Sequence, residues 1–339
     1  MSGIPDREDG AVLLTTLLIM SIMATLAVSI MDDVGFALRR AATLEDTAQA
    51  QSYLDGAEGY ALLHVRNEIA GLPRDQLSQL LSVPQGAVLP LDDGTVELAV
   101  RDGSHCLSPH LALDADGEAL LARLFAQLGV PPREATTLAA SLKDWQDADP
   151  SPSPGGAEDG SYLLLEPSYR TAGSPVGAIS ELRAVRGFDV ETWTRVAPWL
   201  CLNGGAPVNV DTLPPADAPL LAALLDRDTA FAASTLASRP PGGWGGVEAF
   251  TSALGVTDPK DIAEYFPFGF DALAFEPGVL RVDAVVRYRG QVRRSALWLP
   301  LDGSPPVVHR ARGEAALPLP RPPADGSGGD ESIGGGTDG

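Results

Sequence analysis

Basic residues, cysteines and aromatics are scarce in this 339-residue chain. Lys and Arg number 24 against 45 Asp and Glu, a formal net charge of −21, and the lysines are Lys143 and Lys260 alone. Nucleic-acid binders cluster Lys and Arg against phosphates, so this balance argues against a phosphate-binding surface. It argues equally against docking on anionic lipid head groups. The two cysteines, Cys106 and Cys201, stand far apart with no metal-ligand spacing, and no CxxC, HExxH or GxSxG occurs. The four histidines, His64, His105, His110 and His309, share no spacing either. Familiar catalytic signatures are therefore missing, and the chain reads as a non-enzyme. Hydrophobic residues at 45% still provide for a sizeable core, although aromatics are only 6%.

What is present begins with a long apolar run. Residues 11–31 contain no charge and no proline. As a helix they span about 30 Å at 1.5 Å per residue, the thickness of a bilayer core. A cleaved secretory signal has a shorter apolar region and a small-x-small cleavage site. Here the run is longer and ends in Met31-Asp32-Asp33, so it reads as a transmembrane anchor. Arg7 precedes the span and Arg39 and Arg40 follow it, a count that does not decide orientation. Past Asp32, apolar residues recur at helical spacing through Phe36, Leu38, Leu44, Tyr53, Leu54, Ala57, Ala61 and Leu63. One helix to about Ala70 is expected, apolar in its first half and amphipathic in its second.

Gly86–Val100 alternates around Asp92-Asp93-Gly94, a hairpin signal. A helical region follows from about Asp116 to Trp199, broken by a loop over Asp147–Gly160. Glu181–Val185, Gly187-Phe188 and a helix from about Val190 read as two helices joined by a tight turn. Asp211 and Thr212 are expected to cap a helix ending near Leu225. Leu280–Tyr288 and Val292–Leu299 flank Arg289-Gly290 as a second hairpin, with Val307–Arg310 as a further strand. Past Gly313 the chain is rich in Pro, Gly, Ser and Asp and reads as disordered.

A short charged leader ending at Gly10, followed at once by an uncharged helix, resembles the type IV pilin-like precursors. That resemblance implies cutting by prepilin peptidase between Gly10 and Ala11, with methylation of Ala11. Most members of the class carry Glu at the fifth mature position, where this chain has Thr15. A carboxylate in a bilayer needs a partner, and a subunit without one need not sit beneath another, which suits a filament tip. Four further stretches occur in order: Asp144–Asp149, Gly156–Leu163, Ser180–Phe188 and Pro207–Thr212. Together they resemble the GspK family, the large minor pseudopilins of type II secretion systems, from Gly10 to about Arg312. Cys106-Leu107-Ser108-Pro109-His110 departs from the family's frequent Asn-Leu-Asn. The resemblance implies an α+β fold: a type IV pilin-like long N-terminal helix with an antiparallel sheet, and a large α-helical insertion of helix-hairpin-helix (SAM-like) kind. The implied divisions are a leader (1–10), a transmembrane helix (11–31), pilin-like helix and early strands (32–105), a helical insertion (106–275), late strands (276–312) and a tail (313–339). It also implies tip placement on the pseudopilus, GspI- and GspJ-like minor pseudopilins as partners, and a single-pass inner-membrane anchor with the C-terminal domain in the periplasm.

The loop at residues 144–159 holds Asp144, Asp147, Asp149, Glu158 and Asp159. Clustered carboxylates on a bent loop supply the oxygens that Ca2+ takes, and composition alone reads equally as a solvated acidic loop. The resemblance adds calcium binding, with Asp147, Asp149 and Glu158 ahead of Asp144. In an oxidising compartment Cys106 and Cys201 are expected to pair; the alternative is two buried thiols. Trp145, Trp193, Trp199 and Tyr162 read as core. A competing function is a membrane-anchored DNA receptor of the ComEA type, suggested by Pro207–Thr212 and the short helix after it. The turn Gly187-Phe188-Asp189 lacks that module's second glycine, and the acidic balance opposes it.

Overall fold

The computed structural model describes residues 7–69, 71–81, 85–256, 262, 264–302 and 307–316. Residues 1–6 of the leader and the tail from 317 lie outside them. Helix α1 (Arg7–His64) is continuous and closes in a π-helical turn at Val65–Ile69. Its two halves differ in what surrounds them. Residues 12–34 are exposed throughout, and among the described residues this is the one helix long and apolar enough to cross a membrane. In the second half, Ala50, Leu54, Ala57, Ala61 and Val65 fall three or four residues apart and are buried as one stripe.

That stripe packs on a five-stranded antiparallel sheet. After the short helix α2 (Arg74–Leu81), strands β1 (Gln85–Leu91) and β2 (Gly94–Asp102) form the first hairpin around Asp92-Asp93. The chain then leaves the sheet for some 170 residues and returns with β5 (Val279–Tyr288), β6 (Gln291–Pro300) and β7 (His309–Arg312). Sheet order is β1-β2-β5-β6-β7. Val96 and Leu98 of β2 alternate inward with Val282, Ala284 and Val286 of β5 and Leu297 and Leu299 of β6. Each valine and leucine among them, taken from water, contributes about 1.5–3 kcal/mol. Salt bridges reinforce the seating of α1: Arg310 and Arg312 of β7 both reach the buried Glu58, at 3.1 and 3.0 Å.

The excursion builds a helical layer with its own core. Asp114 caps α3 (Ala115–Gln127), its side chain accepting from the N–H groups of Asp116 and Gly117. Helix α4 (Pro132–Gln146) opens on a proline, where a missing N–H is harmless. Then come α5 (Asp159–Tyr162), α6 (Val190–Val196), β3 (Val208–Asn209), α7 (Ala218–Leu225), α8 (Thr229–Ala237), α9 (Val247–Ala253) and β4 (Leu273–Ala274), which pairs parallel with β3. Helix α7 is buried on every side, packed against α3 and α8 in one core with Leu121, Leu124 and Phe125. Strands β5, β6 and β7 complete the sheet. Arg289 and Gly290 both have positive φ, the turn that a two-residue hairpin takes.

Three expectations differ in detail. Ile179–Ala184 is a 3-10 turn rather than an α-helix, so only α6 stands beyond Gly187. Asp211 and Thr212 do not cap a helix: α7 starts at Ala218 after a 3-10 turn at Pro215–Asp217, and both side chains are used elsewhere. The last strand sits at His309–Arg312, two residues later than expected, and 313–316 form a 3-10 turn.

Candidate functional site

Two sites carry the unusual chemistry of the helical layer, one on its acidic loop and one where it meets the sheet. Helix α4 ends at Asp147, whose extended backbone turns the chain outward. The loop returns at Glu158, the N-terminal flank of α5. One carboxylate oxygen each from Asp147, Asp149 and Glu158 lies within 4.8 Å of the other two. Glu158 is 7% exposed. Asp147 Oδ1 and Glu158 Oε1 are buried with no hydrogen-bond partner among the described residues. Loss of solvent, then the charges of Asp149 and Asp144, push the Asp147 carboxyl above its ordinary range. Burial and then Asp144 and Asp147 push Glu158 the same way. Two carboxylates with orphaned oxygens and raised proton affinity, with a third beside them, are what a hard cation relieves.

The other two acids of the loop have partners of their own. Asp159 accepts from Thr171 N and Oγ1, both at 3.0 Å, and from Arg170 at 2.6 Å. The Thr171 N–H first, with the other donors, holds its carboxyl below the ordinary range. Asp144 is fully buried and accepts from Ser153 N. Trp145, Trp199 and Tyr162 are buried, and Trp145 stacks edge-on to Tyr162 at 5.3 Å. Trp193 packs partly buried at the edge of the same core. Gly10 and Ala11 lie within the first turns of α1.

The second site joins the layers. Cys106 and Cys201 are disulfide-bonded, with Cα atoms 5.8 Å apart. Beside them Leu107 N donates to Trp199 O and Cys201 N to Leu107 O, both at 3.0 Å. Asp102, at the end of β2, is the polar centre of the junction. Its Oδ1 accepts from Ser104 N (2.9 Å) and Ser104 Oγ (2.6 Å), its Oδ2 from Asn209 Nδ2 (2.8 Å) and Thr212 Oγ1 (2.6 Å). His105 Nε2 lies 2.9 Å from the same Thr212 hydroxyl. Sequence reasoning missed this network. Asp102-Gly103-Ser104 reads as an ordinary turn, and its partners are 107 and 110 residues away. Asp211 has a third role: it accepts from Trp244 N and Gly245 N at 2.7 and 2.9 Å and holds the glycine-rich loop before α9.

Comparison with known proteins adds identity to this geometry. The family described as Type II secretion system (T2SS), protein K matches residues 98–204 and again 208–266. Type II secretion system protein K of Klebsiella pneumoniae is 32% identical over 74% of this chain and 82% of its own length. That of Pseudomonas aeruginosa is 28% identical over 92% of this chain and 95% of its own. Among solved structures, a chain of the GspK-GspI-GspJ complex from enterotoxigenic Escherichia coli superposes with a TM-score of 0.68. It covers 81% of this chain and 99% of that one at 22% identity, a likeness of fold. The two matched regions span the helical layer that the acidic loop and the junction organise, and the chain belongs to the type II secretion system protein K family.

Proposed function

We propose that this minor pseudopilin sits at the tip of the type II secretion pseudopilus, where it initiates or caps assembly. The observation that supports it is the division of α1. Its first half is exposed and apolar, its second half is committed to the sheet, and a helical layer of about 170 residues stands on the sheet's far end. An apolar helix without a buried face needs lipid or neighbouring apolar helices around it. Thr15 brings no intramembrane carboxylate, so no subunit above is needed to neutralise it. The neighbours would be GspI- and GspJ-like minor pseudopilins, since the superposed Escherichia coli chain comes from a complex of GspK with GspI and GspJ. The anchor would sit in the inner membrane with the sheet and helical layer in the periplasm. There Asp147, Asp149 and Glu158 would hold Ca2+, which supplies positive charge to three crowded carboxylates and has no role in catalysis.

Intact mass spectrometry of the membrane-extracted protein from a host with prepilin peptidase tests this reading. Loss of residues 1–10 with one methyl group on Ala11 is the expected result. An intact Met1, or a cut beyond Met31, would overturn it.

A further inference from the structure

Asp144 stands on the last turn of α4, three residues before Asp147, with no exposed surface. Both of its oxygens lie 3.1 Å from the backbone nitrogen of Ser153. The chain then turns tightly, Gly156 N donating to Ser153 O at 2.8 Å. Gly155 has φ of +85°, which favours glycine, and the turn lays Gly156 against α4. A Cβ on Gly156 would overlap the Asp144 carboxylate and crowd the carbonyl of Ala140. The loop is thus held to α4 at two adjacent points, midway between Asp149 and Glu158. That attachment returns Glu158 to Asp147 across eleven residues of chain. It is made by a buried anion placed beside three others, an arrangement that opposes itself electrostatically.

Resting on the reading of a cation among Asp147, Asp149 and Glu158, we propose that Asp144 is a positioning residue and not a ligand. Its carboxylate clasps the Ser153 N–H beneath Gly156 and sets the separation between the two ends of the cation site. The fit of a cation there does not rest on acidity alone: Glu158 is only 7% exposed, and its Oε1 is unpartnered among the described residues. A clasp is formed before the metal arrives, whereas a ligand has nothing to hold without it.

The test uses the full chain in detergent, first stripped with chelator and then titrated with Ca2+ by calorimetry. Amide hydrogen exchange is read at Ser153. In the metal-free wild type the Ser153 amide is expected to be protected at least tenfold. Asp144→Ala should abolish that protection and weaken Ca2+ binding at least tenfold. Asp144→Asn, whose amide oxygen still accepts, should keep the protection. Gly156→Ala removes no charge and no oxygen, yet should reproduce Asp144→Ala by displacing the carboxylate; it carries the test alone if Asp144→Ala does not fold. Free exchange at Ser153 in the metal-free wild type overturns the proposal. So does loss of Ca2+ binding in Asp144→Ala with Ser153 still protected, which would make Asp144 a ligand. A wild type that binds no Ca2+ while Asp144 still protects Ser153 refutes the cation reading and leaves the clasp standing.

Discussion

Asp147 and Glu158 hold their protons more tightly in the folded chain than in an open one. A carboxyl with a raised folded-state pKa favours the fold while it is protonated, and that advantage is lost as pH rises through the folded value. The metal-free protein should therefore gain stability from these two groups as pH falls from neutral toward the carboxylate range. An Asp147→Asn, Glu158→Gln double variant should melt higher than wild type at neutral pH without metal, and the gap should close as the pH falls. Ca2+ should raise the melting temperature of the wild type and leave the double variant where it was. Asp102 is a buried acid whose oxygens are all partnered, with four donors on them. Asp102→Ala removes the acceptor of Asn209 Nδ2 and of the Ser104 N–H in a buried junction, and unmet buried donors cost about 1–3 kcal/mol each. Urea unfolding should show a loss of about 3 kcal/mol or more.

At the level of elements, periodicity makes much of the fold legible. The stripe through Leu54, Ala57 and Ala61 shows where α1 stops being exposed all round and begins to face the sheet. Asp92-Asp93-Gly94 and Arg289-Gly290 mark both hairpins, because positive φ restricts which residues can make the turn. Helix α7 is less legible. Ala218–Leu225 is apolar on all sides, so no moment distinguishes its faces, and the polar pair before it resembles a cap. Asp211 and Thr212 instead point back to the Gly-rich loop and to Asp102, contacts made across more than thirty and one hundred residues. The acidic loop is visible as composition, but the division of labour within it is not. Which of five carboxylates face one another depends on how the chain turns at Gly155 and Gly156. Full burial of α7 has a direct consequence: Leu221→Ala should cost about 2–5 kcal/mol in denaturant unfolding. An exposed apolar position such as Leu164, at 87% exposure, should change stability little on the same substitution.

For the whole molecule, the question is what keeps a helical layer in one orientation on a sheet that it leaves and rejoins by single strands of chain. The covalent tie is Cys106–Cys201, separated by 95 residues. In the chain-entropy account a closure of that length contributes about 4–5 kcal/mol, chiefly by restricting the unfolded chain. Such a contribution concerns stability more than orientation. Orientation is also held by groups that need no oxidant: the Leu107–Leu200 bridge and the Asp102 carboxylate, which draws two donors from the sheet side and two from the helical side. Replacing both cysteines with serine should therefore lower the unfolding free energy while leaving the layers seated. That background contains no other cysteine, so spin labels can be placed at Arg287→Cys on the sheet and Val190→Cys at the start of α6, both exposed positions. The distance distribution between them should stay narrow without the disulfide. Adding Asp102→Ala should broaden it, and the combined loss of stability should exceed the sum of the two separate losses, because each tie limits what the other's removal can release. A distribution already broad in the serine variant would assign the orientation to the disulfide alone.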